Sequence, residues 1–147
     1  MIEVHNLRKA FGEKEVLKDI SFRVNDGDVI AVLGPSGSGK TTMLRCMSFL
    51  EKADAGSVDF DGVTYDLRKA GRKEILQYRR KIGFVFQDYQ LFGNKTALEN
   101  VTEGLIVARG VNKAEARERG IKALEKVGLA EYADFYPSKL SGGQKQR

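Results

Sequence analysis

The sequence predicts an α/β fold with antiparallel strands at its N-terminus and helices toward its C-terminus. Three observations predict it. Two strand-like runs, residues 2–11 and 16–24, flank the turn Gly12-Glu13-Lys14. A β-branched run at 29–33 leads straight into a glycine-rich stretch and then a helical pattern. Two cap-like positions, Thr96 and Asn112, each stand three residues before a glutamate and open stretches with helical apolar spacing.

The first pair carries apolar Val16, Leu17, Ile20, Phe22 and Val24, and Phe11 sits just before the turn. His5, the only histidine, reads as an ordinary strand residue, since it has no metal-binding company. Next, Asn25-Asp26-Gly27 marks a turn, and Val29, Ile30, Ala31, Val32 and Leu33 predict a strand. Met43, Leu44, Met47 and Leu50 then recur at helical spacing. Cys46, the only cysteine, excludes an internal disulfide and reads as a small buried residue.

Between strand and helix stand Gly34, Pro35, Ser36, Gly37, Ser38, Gly39, Lys40 and Thr41. They fit the phosphate-binding pattern G-x-x-x-x-G-K-[S/T] in its required strand–loop–helix setting. Glycines let backbone N–H groups close around phosphate oxygens, and the helix N-terminus adds positive potential. The pattern assigns Lys40 to the β- and γ-phosphates and the Thr41 hydroxyl to Mg²⁺.

Beyond this helix, Asp61-Gly62 predicts a tight hairpin. Residues 68–81 are dense in lysine and arginine and read as a mostly helical, solvated face, with a nucleic-acid stripe as the minority alternative. Ile82, Gly83, Phe84, Val85 and Phe86 predict a buried strand ending at Gln87. Leu98, Val101, Leu105 and Ala108 predict one helix face, with Gly110 as its stop. Ile121, Leu124 and Val127 predict another, closed by Gly128. Ser141 is a candidate cap for a helix starting at Gly142 and Gly143, whose N–H groups could approach an anion.

At 147 residues the chain is long enough for one domain with a real core. No apolar window is long enough to span a membrane, and the N-terminus runs into strand alternation without a secretory signal. The formal net charge of +5 admits an anionic partner without demanding one.

The phosphate loop, Gln87 and the pentapeptide Leu140-Ser141-Gly142-Gly143-Gln144, in this order, closely resemble the ATP-binding-cassette (ABC) ATPases. The resemblance implies a P-loop NTPase fold: an ATP-binding core over about 1–90, a helical subdomain over about 91–140 and the signature at 140–147. It implies that Gly34 through Thr41, with Thr42, hold ATP and Mg²⁺. It also implies that Phe11 stacks on adenine where tyrosine is commoner, and that Val16 packs near adenine or ribose. Lys40 and Gln87 take catalytic roles, and Thr41 and Gln87 serve Mg²⁺. Ser141, Gly142, Gly143 and Gln144 contact nucleotide held by a second ATPase subunit in a head-to-tail dimer.

Met43 through Cys46, Phe84 through Gln87, Leu91-Phe92, Leu98 through Val101 and the stretch from Tyr136 to Arg147 add a narrower resemblance to bacterial polar amino-acid importer ATPases. That implies integral membrane permease partners, an indirect link to a solute-binding protein and a place on the cytoplasmic face of the inner membrane, with no nucleic-acid partner. In the family, a strand ending in the Mg²⁺-binding Asp and the catalytic Glu follows the signature, and then a switch histidine. No apolar run before Arg147 ends in Asp-Glu. The chain therefore reads as C-terminally incomplete, and the loss of that strand predicts an exposed apolar edge beside the loop strand. The alternatives are a truncated cassette that binds ATP without turnover and a soluble ABC protein acting on nucleic acid or the ribosome.

Overall fold

The computed structural model describes residues Met1–Arg147. The chain divides into two compact units, Met1–Phe84 and Val85–Arg147. Strands β1 (Ile2–Phe11), β2 (Lys14–Val24), β3 (Ala55–Phe60) and β4 (Val63–Asp66) of the first unit form one antiparallel sheet in the order β2-β1-β3-β4.

In β1, Val4 is buried on one parity and Leu7 and Lys9 on the other. The register shift between Val4 and Leu7 accounts for this change. Asn6 has φ 49° there and ties its side chain to Asp19 Oδ1 at 2.8 Å. The β3–β4 hairpin turns at Asp61 and Gly62, both with positive φ, as the sequence predicts.

Helix α1 (Lys40–Met47) packs Met43 and Cys46 against Val4, Leu7, Leu17, Val58 and Leu67. Helix α2 (Arg72–Arg79) adds Tyr78, which meets Phe49, Phe60 and Tyr65 edge-on at centroid distances of 5.3, 5.7 and 5.0 Å. Burial pushes the Tyr78 phenol up to about 12 and the Cys46 thiol up to about 11, so both stay neutral. α1 stops before the expected Leu50: Phe49 takes φ 56°, and the Ser48 N–H and hydroxyl both donate to the Leu44 carbonyl. Leu44 faces outward.

In the second unit, α3 (Ala97–Glu103) starts at Thr96, which accepts from Glu99 N while Glu99 accepts from Thr96 N. α4 (Lys113–Lys126) starts at Asn112, which accepts from Glu115 N at 2.9 Å. Both caps match their sequence signals. Asn100 holds the preceding loop, accepting from Phe92 N at 2.8 Å and donating to the carbonyls of Phe92, Lys95 and Thr96. Leu98, Leu124 and Leu129 form the core.

The predicted α3 face is corrected in part. Leu98 is buried, but Thr102 rather than Val101 accompanies it. A wide π turn over Gly104–Ala108 resets the phase, so Ala108 is exposed. The last helix, α5, spans Gly142–Gln146.

Two strand expectations fail. Neither 29–33 nor 82–86 forms a strand, and the four-stranded sheet includes neither. Val29 is 96% exposed, Leu33 89% and Val85 74%. An apolar run becomes a buried strand only when neighbouring strands take its N–H and C=O groups. The first run stays largely exposed, whereas Ile82 of the second packs against the core of the first unit.

Candidate nucleotide-binding site

The candidate site divides between the two units, and each part is built locally. In the first unit the loop leaves 29–33 and ends at the start of α1. The left-handed backbone of Gly39 (φ 96°) caps the helix, and Met43 N donates to the Gly39 carbonyl at 2.8 Å. Gly39 is also where loop and sheet touch. A Cβ there would lie 2.8 Å from Val16 Cγ1, 3.1 Å from Leu17 Cδ2 and 3.3 Å from the Val16 carbonyl oxygen. The close fit requires glycine, and it seats the loop on β2.

Lys40 folds back over this loop. Its Nζ donates to the carbonyls of Gly34 (2.9 Å) and Pro35 (2.8 Å). Residues 34–38 and Thr41 are exposed, while Thr42 is half-buried. The first turn of α1 carries no carboxylate, and Arg45 stands in its last turn. An exposed backbone loop, in which Ser38 N donates to the Pro35 carbonyl at 3.3 Å, thus joins a helix N-terminus without carboxylates and an ammonium, an arrangement suited to a polyphosphate. The Thr41 hydroxyl is a hard oxygen donor, the type Mg²⁺ takes alongside phosphate oxygens and water. No group of three or more His, Cys, Asp or Glu side chains forms a metal cluster.

Phe11 ends β1 and is 50% exposed. Lys9 Nζ lies 4.7 Å from its ring centroid. That ammonium is itself fixed by Glu51 Oε1 at 2.9 Å and the Lys52 carbonyl at 2.8 Å. Hydrogen bonding to Glu51 raises the Lys9 pKa, and the same bond holds Glu51 below the ordinary carboxylate range. Lys9 belongs to no sequence motif. Its signal was the i, i+2 spacing to Phe11, which places both on one strand face.

In the second unit Gln87 is exposed in a turn, followed by Tyr89 (φ 63°) and Gln90 (φ 50°). Ser141 caps α5: its Oγ accepts from Gln144 N at 3.3 Å, and Gln144 Oε1 accepts from Ser141 N at 2.7 Å. The cap uses Ser141 Oγ as an acceptor, so its O–H remains able to donate outward. Gly142 and Gly143 are exposed. A Cβ on Gly142 would lie 3.1 Å from the Tyr89 hydroxyl, so the segment after Gln87 borders the start of the signature. Sequence spacing carried no sign of this Tyr89 contact. Arg147 donates to the Val127 carbonyl at 2.8 Å, tying α5 to the end of α4.

The ABC transporter family model matches residues 17–147. The chain is 51% identical over 148 aligned residues to the L-cystine import ATP-binding protein TcyC of Bacillus subtilis, covering all of this chain and 60% of that protein. It is 46% identical over 147 residues to the glutamine transport ATP-binding protein GlnQ of Escherichia coli, again covering all of this chain and 60% of that protein. The chain thus spans about 60% of the length of these relatives. Among solved structures, the dimeric bacterial ABC transporter cassette MJ0796 is similar with a TM-score of 0.85 and 37% identity, over 99% of this chain and 65% of that one. A post-hydrolysis state of the same cassette, bound to ADP and Pi, gives a TM-score of 0.84. Sequence and fold agree, and the chain belongs to the ABC transporter family, with the fold of P-loop ABC ATPase cassettes.

Proposed function

We propose that this chain is the ATP-binding portion of an ABC importer's ATPase subunit, coupling ATP binding and hydrolysis to uptake of polar amino acids. The observation that carries the reading is the Lys40 ammonium held over the Gly34–Pro35 carbonyls at the bare N-terminus of α1. The kinship to cystine and glutamine transport subunits supports the solute class.

In this reading Gly34, Ser36, Gly37, Ser38 and Gly39 supply backbone N–H groups to the triphosphate, and Pro35 shapes the loop between them. Lys40 exchanges its two carbonyl partners for phosphate oxygens. Thr41 supplies a ligand to Mg²⁺, with Thr42 beside it. Phe11, held from beneath by Lys9, offers its ring to adenine, and Val16 lines the base or ribose. Gln87 orients water and Mg²⁺ in the assembled subunit. Ser141, Gly142, Gly143 and Gln144 present a hydroxyl and the start of a helix to nucleotide bound by a second copy, in a head-to-tail dimer. Membrane permease subunits receive the resulting motion, a solute-binding protein delivers the solute, and the protein sits peripherally on the cytoplasmic face of the membrane. Bound Mg²⁺ would neutralise charge on the transferring phosphate.

The test is Mg-ATP affinity of the natural full-length protein and its Lys40→Ala variant. A charge-assisted hydrogen bond contributes about 1.5–3 kcal/mol, so affinity falls about 10- to 150-fold while the melting transition stays in place. Equal affinities would refute the assignment of the loop.

A further inference from the structure

All of the chain's net charge is concentrated in one short segment. Residues 66–81 hold seven cations and two carboxylates, a net +5, which is the net charge of the whole chain. The two carboxylates are committed to backbone. Asp66 Oδ1 accepts from Arg68 N and Lys69 N at 2.9 and 2.8 Å, and Glu74 Oε2 accepts from Gly71 N at 2.7 Å. Arg79 donates to the carbonyls at the end of α1, and Lys81 reaches Asp61 at 3.5 Å. Arg68, Lys69, Arg72, Lys73 and Arg80 have no ion pair and are all exposed.

Two of these cations work against their own helix. Arg72 and Lys73 are the first two residues of α2, where the helix N-terminus disfavours positive charge. Such a local conflict points to a role outside the fold. An open groove of about 730 Å³ lies at the start of the segment, edged by Lys52, Arg68 and Lys69 over Phe49, Leu67 and Ile75. The one carboxylate at its edge, Glu51, is held by Lys9.

We propose that this face is a docking surface for the anionic phospholipid headgroups of a membrane. Charge complementarity selects an anionic surface. The apolar neighbours select lipid over nucleic acid. Single-stranded nucleic acid needs exposed aromatic rings for stacking, but the tyrosines here, Tyr65 and Tyr78, are 3% and 2% exposed. On α2 the exposed apolar side chain is aliphatic, Leu76 at 49%, suited to the bilayer interface, while the Phe49 ring in the groove is half-buried and edge-on to Tyr78. The surface uses none of the residues assigned to nucleotide, so it stands or falls separately from that reading.

The experiment is co-flotation of the natural full-length protein, without nucleotide, with vesicles of phosphatidylcholine alone or with about one-third phosphatidylglycerol. A basic residue at an anionic surface contributes roughly fivefold in partitioning. The quadruple variant Arg68→Gln, Lys69→Gln, Arg72→Gln, Lys73→Gln therefore binds anionic vesicles at least about 100-fold more weakly. Raising salt from about 0.05 to about 0.5 M releases the wild type. The charge-preserving variant Arg68→Lys, Lys69→Arg keeps binding. So does a control that neutralises Lys113, Arg117, Arg119 and Lys122 on α4. Equal binding to neutral vesicles, wild-type binding by the quadruple variant, or equal loss in the α4 control would overturn the proposal. Tight salt-sensitive binding to an RNA oligonucleotide with no flotation would overturn it in favour of a nucleic-acid surface.

Discussion

Replacing Gly39 with alanine puts a methyl group where β2 already lies. The added Cβ would stand 2.8 Å from Val16 Cγ1 and 3.3 Å from the Val16 carbonyl oxygen, inside ordinary contact distance for both. The backbone at φ 96° is also one that a side chain resists. The left-handed conformation costs about 1–2 kcal/mol, and overpacking a tight contact costs about 1–3 kcal/mol. Gly39→Ala should therefore destabilise the first unit by about 3 kcal/mol. For a domain of this size that lowers Tm by roughly 6–12 °C. Differential scanning calorimetry of the full-length protein measures it. Gly12→Ala separates the two contributions, because Gly12 has φ 60° but nothing within 4 Å of its Cβ position. It should show the backbone part alone, about 1 kcal/mol. Val16→Ala in the Gly39→Ala background removes the nearest clashing atom and should recover about 1 kcal/mol in a double-mutant cycle. If Gly39→Ala were no worse than Gly12→Ala, or showed no coupling to Val16→Ala, the seating of the loop on β2 would be misread.

Two further predictions concern the signature and acid stability. Ser141→Arg places a long cation at the α5 cap and should block ATP-dependent dimerisation of the full-length protein, read by light scattering, while ATP binding to the monomer persists. Undiminished dimerisation would remove the signature from the interface. Asp66 and Glu51 both have lowered pKa values, the first through the Lys69 and Arg68 N–H groups and the second through Lys9. A depressed carboxylate contributes stability above its unfolded pKa and loses it as pH falls through the folded one. Stability should hold from neutrality to about pH 5 and decline below about pH 4. The Asp66→Asn variant should flatten that decline, and an unchanged acid limb would rule out the Asp66 contribution.

Local chemistry was legible in the sequence. The phosphate loop, the caps at Thr96, Asn112 and Ser141, and the Asp61-Gly62 hairpin each depend on residues within a few positions of one another. Their hydrogen bonds close inside the segment that encodes them. The chain's own residues likewise carried the family, because its two glycine-rich motifs are contiguous words.

What only the tertiary structure decided involves partners distant in sequence. Residues 29–33 and 82–86 have strand composition, yet a strand is decided by the ladder it joins, and the four-stranded sheet includes neither run. Thr102 replaces Val101 in the α3 core because α4 approaches there at Gly120, where a Cβ would lie 2.6 Å from Thr102 Cγ2. Phe11 acquires its ammonium because Glu51 and Lys52, beyond the end of α1, fix the Lys9 head group from the far side of the loop sequence. Periodicity reports which face of an element is apolar. Only packing decides what that face meets, since contact depends on where the rest of the chain has been placed.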